Sequence, residues 1–217
     1  MADLNSASFV DLEYFNAMSG LAIAVDSDEE TIFNNCANAV INMMEYFCGR
    51  KLKERDYDYT DSDDEEFTIF DGIVGSNFWF PTYPVSEVTA FYISDVLIIA
   101  STTYDDTTGY FLNKKMGKLT YFSGFDSTYL QNIKTSYTAG YVDTSLEYLE
   151  LQKISYDLIL DMYNTSSESD SSNLTSERIG GYSYTKANPK DLTKFQGIFP
   201  NQFFALSKYK RFIIQWV

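Results

Sequence analysis

The sequence contains no histidine, two cysteines and four prolines among its 217 residues. Without histidine there is no Ser-His-Asp triad, no Cys-His dyad, no zinc finger and no imidazole proton shuttle near neutral pH. Basic residues are scarce too: 16 Lys and Arg stand against 31 Asp and Glu, a formal charge of -15. A surface that holds nucleic acid neutralises phosphates with clustered Lys and Arg, so specific or tight DNA binding is not expected. A like-charged wall instead lets a polyanion slide past without adhering.

Long apolar runs are missing as well. Nothing in the chain approaches the roughly eighteen consecutive apolar residues of a membrane span. The start, MADLNSASFVDLEYF, lacks a basic region followed by an apolar stretch. Neither a span nor a signal peptide is therefore expected, and a soluble intracellular chain is. In such a chain the glycosylation patterns at Asn164 and Asn173 are chance polar matches.

Aromatic residues are abundant, with 18 Tyr and 17 Phe, a composition that favours strands and protein interfaces. The length suits one large domain or two small ones. Phe9, Leu12, Tyr14 and Phe15 suggest a short helix ahead of Gly20. Ser27 with Glu30 reads as a capping box, and Asp28 and Glu29 favour the positive end of a helix that starts there. Ile32, Cys36, Val40, Met43 and Phe47 fall on one face of that helix, widened by Phe33, Ala37 and Met44. Gly49 is the expected left-handed cap, and Arg50 and Lys51 suit the negative terminus. Cys36 and Cys48 lie about 18 Å apart along this helix, beyond disulfide reach, and are read as buried free thiols.

From Asp56 to Glu66, DYDYTDSDDEE carries seven carboxylates, Asp56, Asp58, Asp61, Asp63, Asp64, Glu65 and Glu66, and no base. Self-repulsion predicts a solvated loop or hairpin. A surface facing DNA or a basic partner, or a divalent-cation site, are alternatives, although the glycine and terminal Glu of a calcium loop are missing. Residues 67 to 138 then hold seven short aromatic and β-branched runs broken by Gly, Asp, Asn and Pro, which predict antiparallel hairpins, with a strand starting after Pro84. Leu151, Ile154, Leu158 and Met162, with Leu149 and Ile159, predict a second long helix over 146–162 that packs on the first. NTSSESDSSN after it reads as a mobile loop, TSERIGGYSYT as an extended arm, and NQFFALSKYKRFIIQW as a closing helix.

The fold class expected is α+β: long antiparallel helices, an inserted antiparallel β-rich region, a serine-rich loop and a C-terminal helix. The expected divisions are residues 1–55, helical; 56–140, the β-rich insert; and 141–217, the second long helix, loop, arm and closing helix.

In their order, several of these segments resemble the head-tail connector (head completion or adaptor) proteins of long-tailed bacteriophages. DSDEETIFNNCANAVINMMEYFCGR resembles the family's amino-terminal helix and its exit at Cys48, Gly49 and Arg50. TYPVSEV at 82–88 resembles its Tyr-Pro-Val strand start, and YTAGY at 137–141 its tyrosine-glycine turn before the second helix. SERIGGYSYT at 176–185 resembles a segment in which Arg178 takes a lysine position and Gly181 an aspartate position. The order covers most of residues 26–185. The long β-rich middle, the acid block and the serine-rich loop depart from a compact member of the family.

The resemblance implies a structural virion protein without catalytic chemistry, cofactor or metal. It implies a ring of itself, commonly of twelve copies, at the head-tail interface under the portal of the filled capsid, after assembly in the host cytoplasm. One face would engage the portal protein and the other a stopper or tail-completion protein, with DNA leaving through the ring unbound. The expected portal contact is Phe203, Phe204, Tyr209, Lys210, Arg211, Phe212 and Trp216, where apolar anchors lie beside late positive charge. The expected subunit contact is Arg50, Ile179, Tyr182 and Tyr184. A stopper, neck or tail-completion protein of the same virion is the alternative, and a carboxylate hydrolase on Asp105-Asp106 a remote one.

Overall fold

The computed structural model of the chain describes residues 8–70, 75–101, 108–125, 133–167, 178–179, 182–183 and 200–211. It is a mixed α+β fold in two compact units, Met1–Arg50 with Asp143–Val217, and Lys51–Val142.

The first unit is helical. Helix α1 (Leu12–Ser19) is capped by the Asp11 carboxylate, which accepts from the Tyr14 N–H, and stops at Gly20 in the left-handed region. Helix α2 (Asp28–Cys48) begins at Ser27, whose hydroxyl accepts from the Glu30 N–H, and ends at Gly49, φ 68°. The reciprocal arm of the capping box is displaced by one residue: the Glu30 carboxylate accepts from the N–H of Asp26 rather than that of Ser27. Helix α4 (Leu146–Ser167) packs against α2. Phe15 sits where the three helices meet, with ring centroids 4.9 Å from Phe33, 5.9 Å from Tyr156 and 5.5 Å from Tyr163. Phe9 lies against Tyr148. Thus α1 runs in the direction of α4, while α2 runs against it, with Cys36 beside Ser166.

Three details of the sequence reading change. Leu149 is exposed, because it lies some 200° around the helix from buried Leu151. The helix continues through Asn164–Ser167, the start of the expected loop, with the Ser166 hydroxyl bonded back to the Met162 carbonyl. The remainder of that loop, 168–173, is outside the described residues. The closing helix, α5 (Pro200–Leu206), is shorter than expected. It tightens into a 3-10 turn at Ser207–Tyr209. Beyond the turn, the backbone bonds to the end of α2 instead of continuing the helix: the Tyr209 carbonyl accepts from Arg50 Nε, and the Arg211 N–H donates to the Cys48 carbonyl.

The second unit carries the β insert. Its strands are β1 (Arg55–Tyr57), β2 (Ile69–Phe70), β3 (Gly75–Trp79), β4 (Val85–Ile93), β5 (Val96–Leu97), β6 (Tyr110–Asn113), β7 (Lys118–Phe125) and β8 (Ile133–Ala139), with a short helix α3 (Glu65–Thr68) before β2. All pairs are antiparallel. One sheet runs β1-β8-β4-β5, with β2 also on β8; the other runs β3-β7-β6. Their faces meet through aromatic rings: Phe91 of β4 touches Phe78, Tyr110 and Phe125 of the smaller sheet, at 6.1, 5.4 and 6.4 Å. Tyr57 stacks on Tyr137 within the larger sheet at 4.7 Å. The high aromatic content therefore serves this core first, where edge-to-face rings add to burial.

Gly140 ends β8 at the point where three stretches of backbone cross. Its N–H donates to the Pro84 carbonyl; next to it Tyr141 donates to Leu52, and Glu54 donates back to Tyr141. Its φ of 121° and the space around it both require glycine, since a Cβ would lie 2.5 Å from the backbone of Lys53 and Glu54.

Candidate functional site

The carboxyl-terminal segment that the sequence marked for partner contact is anchored on the helical unit. Phe203, Leu206 and Tyr209 are buried. Phe203 meets Phe47 edge-on at 4.8 Å, and the Tyr209 hydroxyl donates to the Glu150 carboxylate at 3.0 Å. Lys208 pairs with the same carboxylate, and its hydrogen bond is the main reason that Glu150 is held below its ordinary acidity range. Phe203 and Tyr209 thus face into their own unit. Phe204, Lys210 and Arg211 stand exposed, with Lys210 Nζ 4.0 Å from the Phe47 ring centre. Phe212 and Trp216 lie outside the described residues.

Arg50 is buried, and its bond to the Tyr209 carbonyl ties the exit of α2 to this segment. Burial beside it pushes the Cys48 thiol from 9.0 up to about 12, so it stays neutral at physiological pH. Cys36 and Cys48 are both free and buried. Of the arm, Ile179 and Tyr182 face each other in a two-stranded antiparallel pair, β9 (Arg178–Ile179) with β10 (Tyr182–Ser183); Tyr184 lies outside the described residues.

The acid block is less uniform than its charge suggests. Asp64 is buried, contrary to the solvated reading, because Arg55 pairs with it and the Asp58 N–H donates to it. Asp56 accepts from the Thr138 hydroxyl, and Asp58 from Ser136. The Thr60 N–H is the leading cause that lowers the Asp58 pKa. Asp61, Asp63, Glu65 and Glu66 remain exposed. Among the described residues, no group of three Cys, Asp or Glu side chains is placed to hold a metal ion, and no helix is long and apolar enough to cross a membrane. Asp105 and Asp106 are outside the described residues.

One surface escaped the sequence reading. Between Gly20 and the start of α2, Leu21, Ala22, Ala24 and Val25 are exposed. The signal was present in LAIAV, an apolar run with neither helical nor strand periodicity, set between a helix stop and a helix start.

No family profile matches the chain, and no curated protein is similar to it in sequence. A solved structure is similar in fold: the neck of an empty GTA particle, computed with C6 symmetry. The match covers 98% of this chain and 94% of that one, with a TM-score of 0.54 and 12% identity. The two chains share a fold. At this identity the likeness lies in the arrangement of elements, and it extends over both the helical unit and the β insert.

Proposed function

We propose that the chain is a structural connector of a virion neck, an adaptor ring that bridges the portal of a DNA-filled capsid to stopper or tail-completion proteins and lengthens the DNA exit channel. The observation that carries the reading is the fold likeness to a neck chain over nearly the whole length of both. The charge of -15 supports it, because a wall that repels duplex DNA lets it pass. A ring of twelve copies is compatible with the six-fold symmetry stated for the GTA neck, and so is a ring of six. The occupied place is the virion head-tail interface, reached after assembly in the host cytoplasm.

The portal contact is assigned to Arg211, Phe212 and Trp216, which continue from an anchored segment and combine apolar bulk with positive charge. The arm around Ile179, Tyr182 and Tyr184 is assigned to subunit contact, and the exposed acids of the 56–66 block to the channel wall or outer surface. Removing residues 212–217 leaves Phe203, Leu206 and Tyr209 in place, so the fold should survive. Co-sedimentation with portal rings of the same particle should then fall at least about tenfold, equivalent to roughly 1.4 kcal/mol. Undiminished attachment of a folded truncated chain would remove the assignment.

A further inference from the structure

The helical unit is divided in charge along α2. Residues 8–49 contain no Lys or Arg, and the first base is Arg50. At the amino-terminal end of α2, Asp26, Asp28 and Glu29 are exposed beside the apolar residues Leu21 and Val25. Asp28 and Glu29 have a reason to be there in the helix dipole, but the dipole does not explain the bare apolar run next to them. That run is also held in shape. The Asn16 side chain clamps the Ile23 peptide on both sides, donating to its carbonyl at 3.0 Å and accepting from its N–H at 3.1 Å. The Ser27 hydroxyl donates to the Ala24 carbonyl, and Asp26 occupies a left-handed φ of 62°. A fixed loop loses little further entropy on docking.

The other end of α2 has the complementary character. Tyr46 and Phe204 are exposed, one residue along from Phe47 and Phe203, whose rings meet. Lys208, Lys210 and Arg211 follow Phe204, and Arg50 lies beneath them. Glu150 already accepts from Lys208 and Tyr209. Glu147 is also exposed there, and Glu45 is buried. The helix between the two ends has 21 residues, which at 1.5 Å per residue sets them roughly 30 Å apart. One copy cannot join its own two ends, whereas two copies can.

We propose that the apolar, acidic loop Leu21–Asp26 of one copy docks on the aromatic, basic corner of Tyr46, Phe204 and Lys210 of the next. The contact is head-to-tail, the class of interface that closes into a ring when its rotation permits. It rests on the ring reading above. It takes Phe204 and Lys210 from the residues first expected at the portal and leaves Arg211, Phe212 and Trp216 there.

Two single variants test it, Val25→Cys and Phe204→Cys, both at exposed positions; the native thiols are buried. One variant carries a mass tag. The variants are oxidised alone and mixed, first as free chains at high concentration and then with the portal protein of the same particle. The expected product is a mixed dimer that neither variant forms alone, with a yield that falls as salt rises. Lys210→Glu in the Phe204→Cys chain should cut the yield, and Asp28→Lys in its partner should restore it. Absence of the mixed dimer under both conditions, or a Val25→Cys homodimer, overturns the contact. If the wild type forms rings and no mixed dimer appears, the contact falls and the ring reading stands; if neither forms, both fall.

Discussion

Gly140→Ala is expected to abolish cooperative folding of the β insert. Two costs coincide at this position. A left-handed φ of 121° lies where L side chains rarely go, and the new Cβ would stand 2.5 Å from Lys53 C, Lys53 O and Glu54 N. Those atoms are backbone in a bonded crossing, so no flexible side chain can swing aside. Relief requires that the Tyr141–Leu52 and Glu54–Tyr141 hydrogen bonds open, and with them the end of β8 and the approach to β1. An Ala for Gly exchange at positive φ alone costs more than about 1 kcal/mol, and the steric overlap should raise the total to roughly 4 kcal/mol or beyond, the range of exceptional point mutations. Hydrogen exchange should show loss of protection across β1, β4 and β8. A variant with unchanged protection and an unfolding midpoint near wild type would refute the crossing as described.

Phe15→Ala should be the most damaging single truncation in the helical unit. Its side chain is fully buried and touches rings from two helices besides its own: Phe33 of α2, and Tyr156 and Tyr163 of α4. Truncation removes the transfer free energy of the ring and leaves a cavity walled by stiff aromatics that collapse poorly, for a loss of about 3–5 kcal/mol. Replacement by Leu, which retains much of the volume, should recover a good part of it. Chemical denaturation followed by circular dichroism at the helix band would measure both. A Phe15→Ala loss below about 1 kcal/mol would mean that α1 does not seal the α2–α4 interface.

These two residues differ in how far they could be read in advance. The limits of α2 were legible because caps are local chemistry: Ser27, Glu30 and Gly49 carry their signal within a few residues. The positions of the β runs were legible for a similar reason, since β-branched and aromatic stretches end at turn formers. The role of Gly140 was visible only as a turn in YTAGY; that Lys53 and Glu54 pass within contact distance depends on pairing across more than eighty residues of chain. Burial of Asp64 inside an acid block was illegible for a more local cause, a pairing with Arg55 nine residues earlier. A count of charges predicts repulsion, while the outcome depends on Arg55, brought beside it by the return of the chain. At the carboxyl end, helical spacing suggested a longer helix, but buried Arg50 takes the Tyr209 carbonyl and redirects the chain. Of the proposed contact surfaces, the basic and aromatic end was foreseeable from composition. The apolar loop at Leu21–Val25 carried only the weak signal of an aperiodic run between two helices, because an apolar run reads as core until its exposure is known.

The central claim is that the chain is a ring-forming neck subunit that joins the portal directly. Native mass measurement of the intact chain, alone and with purified portal rings of the same particle, tests it most directly. The account predicts a discrete portal complex carrying one closed ring of this chain, of twelve or six copies, formed without any third protein. A chain that stays apart from the portal until an intervening protein is added would contradict the adaptor position and favour the stopper.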